Sequence, residues 1–199
     1  MSSNVLKKFK DKQTLDRLKK KDQVAFTLAY DENVADIYRF VYFKIGNDEE
    51  AKDITSEVFL KTWNHIQTNS LEDAKTLRAL FYKVARNTII DHYREHGKGK
   101  IVSLEEQAAH FDIALEEEKG VEERLDIKQD IELIKAKLPL LKEEYREAII
   151  MRFINELDLA EIADITGKSR GNIRILIHRA LKALKSLLDE DRESQEKEV

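Results

Sequence analysis

Residues 158–188 read DLAEIADITGKSRGNIRILIHRALKALKSLL, and no other stretch limits the possible folds of this chain as strongly. Asp158 with Glu161 three positions later has the spacing of a capping box, which starts a helix. Ala163 is small, as a close helix crossing requires. Gly167 suits a turn in which φ becomes positive, and Ser169 can cap the helix that follows. Along that helix Ile173, Leu176, Ile177, Ala180, Leu181 and Leu184 recur at helical spacing and predict one buried face. Opposite them stand Arg170, Asn172, Arg174, Arg179, Lys182 and Lys185, with no acid among residues 170–188. Two helices joined by so short a turn form a helix-turn-helix. Its second helix suits a DNA major groove, with its first residues near base edges and its cations near phosphates. The plainer alternative is a helical hairpin with a solvated basic face.

The rest of the chain is read as helical too. One proline and six glycines in 199 residues leave few places for tight turns, and apolar positions repeat at helical period. The fold class expected is all-α, with two small helical domains joined by an acidic linker and the helix-turn-helix in the C-terminal one. The first domain is placed at 12–96. Asp22 caps a helix that stops at Gly46, and Asn47, with Glu50 behind it, caps a second. A polar loop is expected at His65 to Ser70, and Ser70 with Asp73 is expected to start a third helix. The linker is placed at 97–124, opening at Gly97 and Gly99 and rich in glutamate, including Glu116, Glu117 and Glu118. The second domain is placed at 125–188. In it Pro139 precedes a helix carrying Tyr145, Ile149, Ile150 and Phe153 on its apolar side, and a charged tail follows Leu188.

Charge and composition narrow the function. The formal net charge is −4, which opposes DNA binding by the chain as a whole, because phosphate contacts supply most non-specific affinity. The charges are segregated, however: cations gather at Lys7 to Lys21, Lys75 to Lys100 and Lys168 to Lys185. Local basic faces on an acidic chain suit a protein whose partner helps to carry the DNA. With no cysteine there is no disulfide, thiol nucleophile or thiolate metal site. The polar, basic start and the lack of an apolar run of bilayer length predict a cytoplasmic protein. The segment HYREH at 92–96 fits a zinc-peptidase pattern, with His92 and His96 on one helix face. It ends a basic helix and runs into Gly97-Lys98-Gly99-Lys100, and no segment suggests a third ligand. No glycine-rich phosphate loop and no nucleophile–base set is present. No metal, no cofactor and no catalytic activity are expected.

Taken in order, the blocks resemble a bacterial RNA polymerase sigma factor of the extracytoplasmic-function (ECF) group, over nearly the whole chain. DEEAKDITSEVFLKTW at 48–63 resembles the segment that docks on core polymerase. RALFYKVARNTIIDHYREHGK at 78–98 resembles the helix that reads and opens the −10 promoter element. LPLLKEEYREAIIMRF at 138–153, with LAEIADITGKSRGNIRILIHRALKAL at 159–184, resembles the −35-reading domain. The resemblance implies polymerase contacts at Asp48, Asp53, Glu57, Phe59 and Trp63. It implies −10 contacts at Asn69, Arg78, Arg86, Asn87 and Arg94, with Lys83 adding to the same basic helix. It places −35 contacts at Ser169, Arg170, Asn172, Arg174, Arg179 and Lys182. The partners implied are core RNA polymerase and promoter DNA, and an anti-sigma factor is a common further partner in the group. Phe59 and Trp63 have the competing role of core residues. Two other functions compete: a free-standing helix-turn-helix regulator, and a metallohydrolase built on His92 and His96.

Overall fold

The computed structural model describes residues 13–68, 76–95 and 134–196, with side chains through Glu190. The linker at 97–124, Asn69, the expected helix start at Ser70 and Asp73, and His96 lie outside these residues. A helical segment at 13–18 leads through Lys21, at φ 60°, into α1 (Gln23–Ile45). The Asp22 carboxylate accepts from the Val24 and Ala25 amides, at 2.9 and 3.1 Å, and so caps α1. Those bonds, the Ala25 amide first and the Arg17 guanidinium next, hold its pKa below the ordinary value. Gly46, at φ 80°, ends α1 with its N–H on the Tyr42 carbonyl. Asn47 caps α2 (Asp48–Thr68) through the Glu50 amide. Glu50 does not close a capping box; its carboxylate lies 3.1 Å from His92 Nε2 instead.

Helix α2 runs on through Thr68, so His65 to Thr68 are helical where a loop was expected. Burial of Ile66 pins this last turn, and the Thr68 hydroxyl donates to the Asn64 carbonyl. Helix α3 (Leu77–Glu95) begins, among the described residues, where Thr76 Oγ1 accepts from the Ala79 amide. The three helices pack on one another around an aromatic centre. Phe81 sits 4.8 Å from Phe59 and 6.4 Å from Phe26, and Phe26 sits 4.9 Å from Trp63.

In the second bundle a helical segment at 134–137 leads into a 3₁₀ turn, Leu138–Leu140, where Pro139 sits in the first turn without wasting a donor. Helix α4 (Glu143–Ile149) passes directly into a π-helical turn, Ile150–Ile154. That wide turn shifts the helical register, so Phe153 is 51% exposed although periodicity assigned it to the core. It also carries Asn155, which is 2% exposed, toward the first bundle. Helix α5 (Leu159–Thr166) starts with the full capping box of Asp158 and Glu161. Gly167, at φ 70°, turns the chain into α6 (Arg170–Glu196). Replacing Asp158 by Ala removes the carboxylate oxygen that accepts from the Ala160 and Glu161 amides, at 2.7 and 2.8 Å, and should lower stability by about 0.5–2 kcal/mol in urea unfolding. A loss close to zero would mean that the cap does not hold α5.

The two bundles touch, through α3 against α5 and through α1 against the π turn.

Candidate nucleic-acid interface

Helix α6 separates its faces as amphipathic spacing requires. Ile173, Ile177, Ala180 and Leu184 are buried, against α4 and α5. Leu181, expected in that face, is 42% exposed, because it lies a residue off the 173–177–180–184 stripe. Ser169, Arg170, Asn172, Arg174, Arg179 and Lys182 are all exposed. Ser169 Oγ accepts from the Asn172 amide at 3.2 Å and fixes the first turn. Among the described residues no carboxylate lies within ion-pair distance of Arg170, Arg174, Arg179 or Lys182. The result is a cationic strip over a helix start, open to a polyanion.

Helix α3 is different. Of the α3 residues at which the resemblance implies −10 contacts, only part is open to solvent. Asn87 and Arg94 are exposed. Arg78 Nη2 is 2.9 Å from Asp36 and 2.8 Å from the Asn155 carbonyl, and Nη1 is 3.7 Å from Glu161. Arg86 grips Glu147 with Nε at 2.7 Å and Nη2 at 3.2 Å, and Nη1 reaches the Ile165 carbonyl at 3.4 Å. Lys83 Nζ is 3.3 Å from Asp164. Burial works against the Arg78 charge, but Tyr82, Asp36 and Glu161 outweigh it and raise its pKa. Tyr82 is fully buried under Arg78, and burial raises its pKa as well.

The acidic start of α2 does not gather on a single face. Asp53 and Glu57 line an open groove of about 510 Å³ between α2 and α3, together with Glu50, Asp91 and Glu95. Asp48 turns the other way, where the Tyr38 hydroxyl and Lys52 hold it. Five positions advance a helix by roughly 140° from Asp48 to Asp53, which separates the two, whereas four positions keep Asp53 and Glu57 together. Phe59 is a core residue at 4% exposure, and Trp63 is half-buried on Phe26. His92 faces Glu50, and no cluster of three metal-ligating side chains occurs among the described residues.

Sequence reasoning passed over Lys44, which is buried where the two bundles meet. Its ammonium contacts Glu143 and lies 3.7 Å from Glu147. The one signal was a lysine inside the apolar run FVYFKI. Burial pushes the Lys44 pKa down to about 8, Glu147 opposes that shift, and Arg146 and Arg86 reinforce it. Tyr93 closes the site by donating to the Lys44 carbonyl at 2.7 Å. A lysine with a depressed folded pKa binds its proton more tightly when unfolded, near its ordinary 10.5. Stability should therefore rise between about pH 8 and pH 10.5, by at most about 1.4 kcal/mol per pH unit. Tyr38, Tyr82 and Tyr93, all with raised pKa values, act oppositely above about pH 10, where the unfolded phenols ionise. Urea unfolding followed at Trp63 at pH 8.0 and about pH 9.5 should show the rise, and Lys44→Met should abolish it. An equal rise in Lys44→Met would assign the effect to another group.

Comparison with known proteins bears on these surfaces together. Residues 29–99 match the family model for sigma-70 region 2, and residues 131–184 match that for sigma-70, region 4. The chain is 30% identical over 156 residues to the RNA polymerase sigma factor SigV of Bacillus subtilis, covering 78% of this chain and 86% of SigV. It is 29% identical over 186 residues to the ECF sigma factor SigW of the same organism, covering 89% and 96%. It is also 29% identical over 167 residues to the ECF sigma factor BldN of Streptomyces coelicolor, covering 84% of this chain but only 61% of BldN. Among solved structures, the fold is similar to CnrH in complex with the cytosolic domain of CnrY, with a TM-score of 0.63 at 19% identity over 92% of this chain and 99% of that one. It is likewise similar to the sigma factor RpoE bound to the anti-sigma factor NepR from Bartonella quintana, with a TM-score of 0.60 at 20% identity over 82% and 96%.

Proposed function

This chain belongs to the ECF group of RNA polymerase sigma factors, and we propose from that membership that it binds core RNA polymerase and directs it to promoters. Factors of this family act by binding rather than by catalysis. In this reading the start of α6 enters the major groove of the −35 element. Ser169, Arg170, Asn172 and Arg174 lie near base edges, with Arg179 and Lys182 on phosphates. Helix α3 and the loop before it, including Asn69, hold the −10 element through Arg78, Lys83, Arg86, Asn87 and Arg94. Stacking an unpaired base contributes roughly 1–3 kcal/mol, comparable to what unstacking costs, so binding alone can open a few base pairs. The groove with Asp53 and Glu57, beside Asp48 and Trp63, takes the polymerase. Phe59 supports that surface from the core. An anti-sigma protein, of the kind bound to CnrH and RpoE, is proposed as a further partner.

The observation that carries the reading is the row of exposed cations on α6 with no carboxylate partner among the described residues. The test is to mix the full chain with bacterial core polymerase and to run run-off transcription on a genomic promoter library. Saturable binding with new, promoter-specific transcripts is expected. No polymerase binding, with tight salt-sensitive binding to a palindromic duplex, would replace the reading with a free-standing regulator.

A further inference from the structure

The groove between α2 and α3 carries five carboxylates, Glu50, Asp53 and Glu57 on one wall and Asp91 and Glu95 on the other, against the cations Lys61 and Arg94. The chain pairs only part of this acid. Glu50 lies against His92, and Asp91 lies 3.7 Å from Arg94. Asp53 and Glu95 have no ion pair or side-chain hydrogen bond with any described residue. Ile54 and Thr88, both buried, line the same groove and form its floor. Thr88 is 1% exposed, and its Oγ1 has no hydrogen-bond partner among the described residues. A buried hydroxyl without a partner is costly, and a donor that enters the groove relieves it.

The layout of the acid selects the ligand. No three metal-ligating side chains converge among the described residues, so the charge is not gathered about one point as a metal ion requires. The carboxylates are strung along two helices instead. Asp53 and Glu57 are four positions apart on α2, and Asp91 and Glu95 four apart on α3. That spaces each pair by roughly 6 Å along its helix. Ammonium groups separated by short methylene runs match such an interval, and the methylenes suit the buried Ile54. The groove already receives one ammonium: Lys61 Nζ lies 2.8 Å from Glu57 and 3.8 Å from Asp91. Its hydrogen bond to Glu57, and then the charges of Glu57, Asp91 and Glu95, raise the Lys61 pKa, although desolvation opposes them.

We propose that this groove binds a linear oligoamine of the spermidine class, with ammonium groups among the carboxylates and one N–H donated to Thr88 Oγ1. The site stands on the groove itself and not on the polymerase reading. Because that reading gives the same groove to core polymerase, a bound amine would compete with it.

Calorimetric titration of the full chain with spermidine tests the site. Saturable binding of one amine per chain is expected, with putrescine weaker and magnesium ion weaker still at equal charge. Thr88→Val keeps the side-chain shape and removes the hydroxyl. It should weaken spermidine about tenfold or more, yet raise the urea midpoint of the free chain, because an unpartnered buried hydroxyl is gone. A role in folding alone predicts a lower midpoint and an unchanged affinity. Asp53→Asn with Glu95→Gln should weaken spermidine roughly three- to tenfold, since both side chains are exposed. Asp189→Asn with Glu190→Gln, toward the other end of the chain on α6, should leave it unchanged. Spermidine binding no tighter than that of magnesium, or equally weakened by the α6 variant, overturns the proposal and leaves diffuse attraction to an acidic chain. So does an affinity untouched by Thr88→Val. A groove that takes polymerase but no amine also overturns it, and its occupant is then a protein side chain. Failure of the polymerase reading looks different: spermidine would bind the wild-type groove and leave core-polymerase affinity unchanged.

Discussion

Phe81→Ala should lower the unfolding free energy of the first bundle by about 3–5 kcal/mol. Phe81 is fully buried, and its ring is packed by Phe59 and Phe26, which come from the two other helices of that bundle. Truncation leaves a cavity that no neighbour can fill without leaving its own contacts, because Phe26 is already held by Trp63 and Phe59 by Tyr30. The chain has one tryptophan, and it lies in this cluster, so urea unfolding followed by Trp63 fluorescence reports this bundle directly. A loss of that size takes much of the stability of a small domain. Polymerase binding should therefore fall with temperature before it falls at low temperature. A loss below about 1 kcal/mol would show that the site collapses or that the aromatic centre is not what holds the bundle.

What was legible in the sequence follows from how local each signal is. The caps at Asp22, Asn47 and Asp158, and the stops at Gly46 and Gly167, join residues no more than four apart, and each occurs where the pattern put it. The buried stripe of α6 was legible except at Leu181, since periodicity blurs at the margin of a face. Phe153 was misjudged because a π turn breaks the 3.6-residue period on which the argument stood, and no residue type in IMRFI announces such a turn. The end of α2 was placed early because polar residues at His65 to Thr68 were weighed above the single buried Ile66. The state of Arg78 and Arg86 was not legible at all. Their partners are Asp36, Asn155, Glu147, Glu161 and Ile165, and, apart from the first, they lie 61 to 83 positions away in sequence. Only folding brings them near. A basic helix looks the same in sequence whether its counter-charges are phosphates or carboxylates. That ambiguity is physical, because both are oxygen anions at hydrogen-bonding distance.

The Arg170→Ala, Arg174→Ala double variant should relax the choice of −35 sequence while leaving core-polymerase binding intact. Both side chains are exposed on the first turns of α6 and have no carboxylate partner among the described residues, so removing them opens no cavity and leaves no buried charge unpaired. Stability should change by no more than about 0.5 kcal/mol, the ordinary range for a surface substitution. An arginine that meets a guanine through two hydrogen bonds discriminates by roughly 1–3 kcal/mol. Losing both contacts should thus flatten the preference at two base positions by about tenfold or more each. Lys182→Ala supplies the contrast. On a phosphate contact it should weaken all −35 sequences alike and lower the salt dependence of binding by about one ion. The measurement is run-off transcription by the assembled holoenzyme on a library randomised in the −35 element, at two salt concentrations. Preserved discrimination in the arginine double variant would move base reading elsewhere on α6 and leave its cationic strip as an anchor on the DNA backbone.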